Sequence, residues 1–144
     1  MSAFFFAISR NIVYDTNVIL DILGKREPFF QDSYAALQKA IKAETECLVS
    51  ISAVTDIFYM FRKSLNSTER AKEQIEQLSQ LVTFADVQGM DIQTALMRKT
   101  SDFEDAVVDA VAERNKSSCI LTRNVKDFSE SIVPAVTPAD FLNT

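Results

Sequence analysis

Short apolar runs alternate along the chain with longer stretches in which apolar residues recur at helical spacing. The short runs are rich in β-branched and aromatic residues and are bounded by polar ones, a pattern typical of buried strands. IVYD, CLVSI and SCILT are the clearest examples. The predicted strands cover residues 12–15, 47–51, 81–87 and 118–122, with a brief further strand inside 132–142.

The stretches between these runs predict helices. Residues Gln31 to Glu44 carry apolar side chains at helical spacing, and Ser52 opens a segment with a second such stripe. Asn66, followed by Glu69, resembles a capping box and predicts a helix from there to about Leu81. Further helices are predicted from about residue 91, over 103–116, within 123–128 and as a last turn near 142.

The helix predicted over residues 103–116 has the most regular apolar stripe, which includes Phe103 and Val107. Asp102, Asp105 and Asp109 fall on the opposite face. Acids in the first turn of a helix are stabilised by its macrodipole, whereas Asp109 lies too far along the helix to benefit. We therefore expect Asp109 to be a solvated surface acid that the chemistry does not need.

Strands separated by helices throughout the chain predict βαβ units. The expected fold is α/β, a three-layer α/β/α arrangement around a central, mainly parallel sheet of four or five strands. A length of 144 residues with two Gly and three Pro predicts a single domain over residues 1–144, with 1–10 as an N-terminal extension. The pattern of apolar residues assigns no role to the run Phe4 to Phe6 in that extension.

Charge and composition narrow the class of protein. The net charge of −5 and a pI near 4.7 argue against binding nucleic acid through a broadly basic surface, so any phosphate must be met locally. The longest N-terminal apolar run, FFFAI, is shorter than the core of a signal peptide, and no segment is long enough for a membrane span. We expect a cytoplasmic protein in which Cys47 and Cys119 are reduced and buried.

Acids follow several of the predicted strands. Asp15 ends the first strand, and Thr122 to Asn124 end a later one, so these residues face the same crevice at the carboxyl edge of a parallel sheet. Asp56 lies in the first turns after the strand that ends at Ile51, near the edge of this crevice, although helical spacing alone would leave it exposed to solvent. Asp127 follows the last clear strand by a few residues, and it too could lie near the crevice or be exposed to solvent.

Carboxylates gathered in one cleft raise each other's pKa unless a cation neutralises them. Hard divalent ions, Mg²⁺ or Mn²⁺, suit such oxygen ligands and can clamp a phosphate and activate water. The chain has no His, which excludes Ser-His-Asp and Cys-His catalysis and His-ligated zinc. Carboxylate and metal chemistry is nearly all that remains.

Four stretches, in order and at fitting distances, resemble the PIN domain family of metal-dependent ribonucleases, which includes the VapC-like toxins of toxin-antitoxin pairs. They are IVYDTNVILDILGKREPF, SAVTDIFYMFRK, DFEDAVVDAVA and ILTRNVKDF. The resemblance implies that Asp15 and Asp105 bind the metal ion. It places Asp56 where the family usually has Glu. At the position of the family's fourth acid, the match is either Asn124, a neutral amide, or Asp127.

The resemblance also implies roles for the polar residues around these acids. Asn17 and Thr122 match positions that orient the acids and, with Arg123 and Asn124, are expected at the substrate. Asp21 fits a subgroup pattern and is expected to be structural. Five basic residues are candidate phosphate contacts, although a solvated surface charge is the preferred reading of each: Arg62, Lys63, Arg98, Lys99 and Arg123.

By this resemblance the protein cleaves single-stranded RNA with Mg²⁺ or Mn²⁺, forms a homodimer and is inhibited by an antitoxin protein. The alternative is a catalytically weak PIN module that binds RNA or a protein without cutting, which the shorter Asp56 and the amide of Asn124 favour. An aspartyl phosphotransferase would use Asp15 as a nucleophile but requires a second acid where Asn17 stands. A receiver domain would require a Lys at the late strand that ends in Thr122.

Overall fold

A computed structural model describes residues 10–144, and the run Phe4 to Phe6 lies outside the described residues. Within 10–144 there are five strands, seven α-helices and one 3-10 helix, and none of the helices is long and apolar enough to cross a membrane. In chain order the elements are β1 Asn11–Tyr14, α1 Thr16–Leu23, α2 Phe30–Lys42, β2 Glu46–Ser50, α3 Ile51–Leu65, α4 Thr68–Leu81, β3 Thr83–Ala85, α5 Gly89–Leu96, α6 Phe103–Arg114, β4 Ile120–Leu121, the 3-10 helix Val125–Phe128, β5 Ala135–Val136 and α7 Pro138–Leu142.

The five strands form one parallel sheet in the order β3-β2-β1-β4-β5. The predicted α/β fold with a parallel sheet of four or five strands is confirmed. β1 lies at the centre, and the chain adds β2 and β3 on one side of it before it crosses to β4 and β5 on the other. The strand order therefore reverses between β1 and β4, which is where open parallel sheets form a ligand crevice.

Apolar side chains cover both faces of the sheet, as a three-layer fold requires. Successive residues of a strand point to opposite faces, so Tyr14 joins the core beneath α1 to α4 while Val13 joins the core beneath α5 and α6. Both side chains are fully buried. Central members of the first core are Ile19, Leu37, Ile57 and Leu78, and those of the second are Leu48, Val107, Val111 and Ile120.

Helix α6 is buried on more sides than its sequence pattern predicted. Every residue from Ala106 to Ala112 is buried, whereas Phe103, which was expected on the apolar stripe, is 48% exposed. Asp109 is fully buried, so the prediction that it is a solvated surface acid is wrong. The reason is that α6 packs on the sheet with one side, while α5 and the segment around Ile132 and Val133 cover another.

The start of α4 corrects a second sequence prediction. Asn66 adopts a left-handed backbone with φ of 52° and ends α3, a conformation that Asn tolerates better than most residues. Ser67 is the residue that caps α4, because its Oγ accepts a hydrogen bond from the backbone N–H of Arg70 at 3.1 Å. The capping box predicted for Asn66 and Glu69 is therefore wrong by one residue.

The two cysteines are free and buried, as predicted. Cys47 lies on β2 against the hydroxyl of Tyr14, and Cys119 immediately precedes β4. Burial raises the pKa of the Cys119 thiol to about 11 and raises the pKa of Cys47 as well. Both thiols therefore stay protonated at neutral pH, and as thiols they are poor nucleophiles and poor metal ligands.

Candidate active site

Asp15 lies at the carboxyl end of the central strand β1, directly before α1. Its backbone N–H donates to the carbonyl of Leu121 on β4, and its carboxylate caps α1 by accepting from the N–H of Thr16 at 2.9 Å. The side chain is only 8% exposed. Burial raises the pKa of Asp15, against the lowering effect of hydrogen bonds from Thr122 and Thr16. A buried carboxylate therefore stands at the reversal point of the sheet.

Two polar side chains fix the orientation of this carboxylate. Thr122 Oγ1 donates to Asp15 Oδ2 at 2.9 Å, and Asn17 Nδ2 donates to the same oxygen at 3.1 Å. The network closes on itself because the backbone N–H of Arg123 donates to Asn17 Oδ1 and that of Asn124 donates to Thr122 Oγ1. Asn17 and Thr122, both selected from the sequence, thus hold Asp15 rather than point freely into the crevice.

Asp105 lies in the first turn of α6 and faces the charge of Asp15. Its pKa is raised to about 7, first by burial and then by the charges of Asp15, Asp102 and Asp127, in that order of importance. Asp102 is the capping residue of α6 and accepts from the N–H of Asp105 at 3.0 Å. Asp15 and Asp105, 90 positions apart in the sequence, therefore lie close enough for the charge of Asp15 to disfavour ionisation of Asp105.

Glu104 is a member of the site that the sequence analysis missed. Its pKa is raised to about 7, first by burial, then by a hydrogen bond with Asp56 and by the charges of Asp56, Asp102 and Asp15. Asp56 and Glu104 line one cavity of about 470 Å³ together with Thr16, which follows Asp15. Asp56 is partly buried there, so it lies at the crevice and not on the open surface. The only signal for Glu104 was its place beside Asp105 at the start of a helix.

Asp127 and Asn124 separate in the structure. Asp127 lies exposed in the 3-10 helix, and its negative charge raises the pKa of both Asp15 and Asp105. Asn124 lines a different cavity, one that is bounded by α2 and α7. On this loop, Asp127 is therefore the acid whose charge raises the pKa of the crevice carboxylates.

The basic residues selected from the sequence have different surroundings. Arg98 forms an ion pair with buried Asp109, in which Nε lies 3.5 Å from Oδ2. This pair is not aligned for a hydrogen bond. The Nη2 of Arg98 contacts Glu113. The side chain of Arg98 is 14% exposed, so Arg98 is a structural ion-pair partner and not the solvated surface charge that was the preferred reading of the sequence. Arg123 is tied to Asp21. Lys63 lines the cavity of Asp56 and Glu104, whereas Arg62 lines the next cavity along α3.

Asp21 has the structural role expected of it. It is fully buried on α1, and its two oxygens contact Arg26 Nε at 2.9 Å and Arg123 Nε at 2.6 Å. Arg123 in turn stacks on the ring of Phe29, with its guanidinium carbon 3.9 Å from the ring centroid. This ion-pair network braces the loop after β4 against α1.

The donor chemistry of the crevice fits a hard divalent cation. Its acids are carboxylates without an arginine or lysine partner among residues 10–144, and they raise one another's pKa. In the same part of the chain no three acidic or cysteine side chains are already grouped around a common point. Carboxylate oxygens are the ligands that suit Mg²⁺ or Mn²⁺, which protein sites usually hold through one or two carboxylates plus waters and substrate phosphate.

The comparison with protein families identifies the fold family. A family model described as a PIN domain matches residues 11–126. This chain belongs to the PIN domain family. The match includes Asp15, Asp56 and Asp105, and it ends one residue before Asp127. No curated protein matches this PIN domain.

Solved structures similar to this PIN domain are toxin-antitoxin complexes. VapBC2 from Rickettsia felis bound to a promoter DNA fragment has a TM-score of 0.73 at 14% identity, over 88% of this chain and 98% of that one. DNA-bound VapBC from Salmonella typhimurium has a TM-score of 0.68 at 17% identity, over 90% and 98%. A toxin-antitoxin complex from Klebsiella pneumoniae has a TM-score of 0.64 at 19% identity, over 88% and 97%. At these identities the likeness shows a common fold.

Proposed function

We propose that this PIN domain is a Mg²⁺- or Mn²⁺-dependent endoribonuclease that cleaves phosphodiester bonds of single-stranded RNA. The observation that carries the proposal is the convergence of Asp15 and Asp105, with Glu104 beside them, at the reversal point of the sheet, where no cation from residues 10–144 neutralises them. Such a crevice favours a divalent ion, and the ion supplies the positive charge that an acidic protein needs to bind a phosphodiester.

Asp15 and Asp105 would hold the ion. When bound, it would offset the repulsion between the carboxylates, polarise the phosphate and lower the pKa of a water molecule. Thr122 and Asn17 keep one oxygen of Asp15 in a fixed direction, so its other oxygen is presented in one orientation. This preorganisation supports a precise reaction geometry because little rearrangement is needed when substrate arrives.

Asp56, Glu104 and Asp127 complete the acidic site in this proposal. In the metal-free protein Glu104 is about half protonated near pH 7 because its pKa is raised to about 7. A carboxyl group with a pKa near the working pH can accept or give a proton efficiently. The longer Glu104 beside Asp56 also compensates for the short side chain at position 56, which favours an enzyme over a module that only binds.

A path for RNA leads away from the acids along α3. The cavity that holds Asp56 and Glu104 is also lined by Lys63 and by Tyr59, which is 63% exposed. Lys63 offers a local positive charge for a phosphate, and Tyr59 offers a ring on which an unpaired base can stack. Both residues also line a second cavity of about 490 Å³ that reaches Arg62 and Ser67.

The decisive experiment uses the full chain and a labelled single-stranded RNA, incubated with Mn²⁺, with Mg²⁺ or with a chelator. We expect cleavage only with metal, and a loss of about 100-fold or more in Asp15→Asn and Asp105→Asn. Glu130→Gln, which removes an exposed acid outside the site, is the matched control and should cleave normally.

The alternative is a PIN module that binds RNA or protein without cutting it. Metal-independent RNA binding with no cleavage by the purified chain under any of these conditions would favour that alternative and contradict the proposed enzyme. Cleavage that survives both Asp15→Asn and Asp105→Asn would assign the activity to a contaminant or to another site.

We further propose that the chain is the toxin of a toxin-antitoxin pair and acts in the cytoplasm as a homodimer. The similar solved structures are toxin-antitoxin complexes, which supports an antitoxin partner. Exposed apolar side chains on and next to α5, including Met90 and Leu96, offer a surface for self-association. Induced expression should arrest growth, Asp15→Asn should not, and light scattering of the purified chain should give the mass of a dimer.

A further inference from the structure

A cavity of about 320 Å³ lies on the far side of the loop that follows β4. Its size is within the range of small-molecule pockets, roughly 300–1,000 Å³. α2 and the residues before it contribute Phe29, Asp32 and Ser33, and the loop after β4 contributes Arg123 and Asn124. Pro138 at the start of α7 closes the remaining side.

A short chain of hydrogen bonds links one residue of the cavity wall to the acidic site. Asn124 lines the cavity, and its backbone N–H donates to Thr122 Oγ1 at 3.0 Å. Thr122 Oγ1 then donates to Asp15 at 2.9 Å. Two hydrogen bonds therefore connect the cavity wall to the carboxylate proposed to hold the metal.

One wall of the cavity is a flat, rigid platform. The guanidinium of Arg123 stacks over Phe29 at 3.9 Å and is held in its plane by two contacts with buried Asp21, Nε at 2.6 Å and Nη2 at 3.4 Å. Unpaired RNA bases stack on such guanidinium planes and on aromatic rings. A platform fixed by a fully buried carboxylate loses little conformational entropy when a base docks on it.

Uncommitted polar groups surround this platform. The hydroxyl of Ser33 is buried and has no hydrogen-bond partner among residues 10–144. In the same part of the chain the side chains of Asp32 and Asn124 make no hydrogen bond or ion pair. A buried hydroxyl without a partner is uncommon and calls for a ligand or water that would satisfy it. The cavity thus combines a stacking surface with unused donors and acceptors.

We propose that this cavity binds one nucleobase of the RNA, next to the phosphodiester that is cut, and selects bases with an exocyclic amino group over uracil. The inference rests on the proposed ribonuclease function. Asp32 can only accept hydrogen bonds when ionised, so it is complementary to the amino groups of adenine, cytosine and guanine. Uracil has carbonyl oxygens in place of these amino groups and only its N3–H to donate, so it offers Asp32 fewer hydrogen-bond donors.

A base fits this cavity better than a phosphate does. The two cations near it, Arg26 and Arg123, are both paired with Asp21, and Asp32 adds a further negative charge. The local charges cancel, so no excess positive charge attracts a phosphate. Stacking and edge contacts do not need such an excess.

The first experiment measures binding of short RNAs separately from cleavage. Asp15→Asn protein, kept with a chelator, is titrated with the trinucleotides ApApA, CpCpC and UpUpU while NMR follows the backbone amides of Ser33 and Asn124. We expect ApApA or CpCpC to shift these signals and to bind about tenfold more tightly than UpUpU. Asp32→Asn should reduce this ratio several-fold, because an amide can donate to a uracil carbonyl.

Glu130→Gln, an equal change of charge at an exposed acid outside the cavity, should leave the ratio unchanged. Ser33→Ala provides a second variant, with weaker binding of the preferred trinucleotide and an unchanged circular dichroism spectrum as the expected result. Equal binding of all three trinucleotides, or shifts confined to other amides, would overturn the proposal. So would a response of Ser33 and Asn124 to a co-expressed partner protein but to no trinucleotide.

A cleavage arm separates this inference from the function on which it rests. If the wild-type chain cuts RNA with no preference at the neighbouring base, the enzyme stands and the base pocket does not. If it cuts nothing, yet the Asp15→Asn protein binds trinucleotides with the stated preference, the pocket stands and the proposed nuclease does not.

Discussion

Two groups of acids in this small domain have opposite surroundings. Asp21, Asp91 and Asp109 are buried, and each has an arginine partner. Asp15 and Asp105, in contrast, have no cation beside them among residues 10–144 and instead face further carboxylates. Burial and these neighbouring charges raise the pKa of both Asp15 and Asp105.

Asp91 shows what a partner does to a buried acid. Burial alone would raise its pKa, but hydrogen bonds from Arg114 and the backbone of Gln88, with the charge of Arg114, hold the pKa below its usual value. The fold thus contains enough arginine to neutralise buried acids where structure requires it. The crevice acids are left unneutralised in the same fold, and that contrast points to an external cation.

The largest effect is expected at Asp109. Its carboxylate accepts from the backbone N–H groups of Ile132 and Val133 at 2.9 to 3.1 Å and faces Arg98. Asp109→Ala would leave a largely buried charge and two N–H groups without a partner, and should lower the free energy of unfolding by about 3–5 kcal/mol. Urea unfolding measures this change.

The matching variant in the crevice removes Asp105, and its stability is compared with that of Asp109→Ala. Asp105→Ala should not lower the free energy of unfolding, because it removes a charge that other acids repel. A loss of stability in Asp105→Ala equal to that in Asp109→Ala would abolish the distinction between the two groups. Asp109→Asn should retain RNA cleavage per folded molecule, since Asp109 lies away from the crevice.

A divalent ion should stabilise the folded chain by a smaller amount. Mg²⁺ or Mn²⁺ at a hundred times its dissociation constant should add about 2.7 kcal/mol, and each kcal/mol raises the melting temperature of a domain of this size by roughly 2–4 °C. Differential scanning fluorimetry with and without the ion gives the shift. The double variant Asp15→Asn, Asp105→Asn should show none, and a full shift in that variant would place the ion elsewhere.

The pH dependence of stability should have an unusual sign. Glu104 and Asp105 have pKa values near 7 in the folded chain, above their ordinary values near 4, so the folded state binds more protons between these limits. Without metal, stability should therefore fall as pH rises from about 4 to about 7. Melting curves in a chelator measure this slope, and Asp105→Asn should flatten it. A wild-type slope of the opposite sign would contradict the raised pKa values.

The smallest effect is expected from Asp127. Its charge is the weakest of the three that raise the pKa of Asp105, after Asp15 and Asp102. Asp127→Asn should therefore lower that pKa by less than Asp15→Asn does, as measured by carbon-detected NMR titration of the Asp105 carboxyl. An equal or larger shift would show that the 3-10 helix stands closer to the crevice than its place in the fold indicates.

The strand and helix order could be predicted from the sequence because the period of apolar residues reports which faces are buried. The same periodicity failed for α6, where burial on several sides hides the stripe and encloses Asp109. It also could not identify Arg98 as a structural partner, since ion pairs between α5, α6 and the loop near Ile132 depend on tertiary packing. Local patterns carry no information about such contacts.

The candidate site, like the fold, could be predicted from the sequence only in part. Asp15 follows from its place at a strand end and Asp105 from the resemblance to the PIN domain family, whereas their convergence depends on which strands are neighbours. Glu104 was missed because a helix start rich in acids has an ordinary explanation in the macrodipole. Its contact with Asp56 on α3 brings together helices that are distant along the chain, and no spacing rule specifies that contact.

The hydrogen bond between Thr122 and Asp15 has a consequence for when the acidic site is completed during synthesis. Strand β4 and the residue after it are translated more than a hundred residues after β1, yet they supply the neighbouring strand and the hydroxyl that hold the first acid. Since synthesis proceeds from the N-terminus, a growing polypeptide on the ribosome lacks these parts until Thr122 has been added. Interrupted products would carry most of the acids and none of the finished geometry.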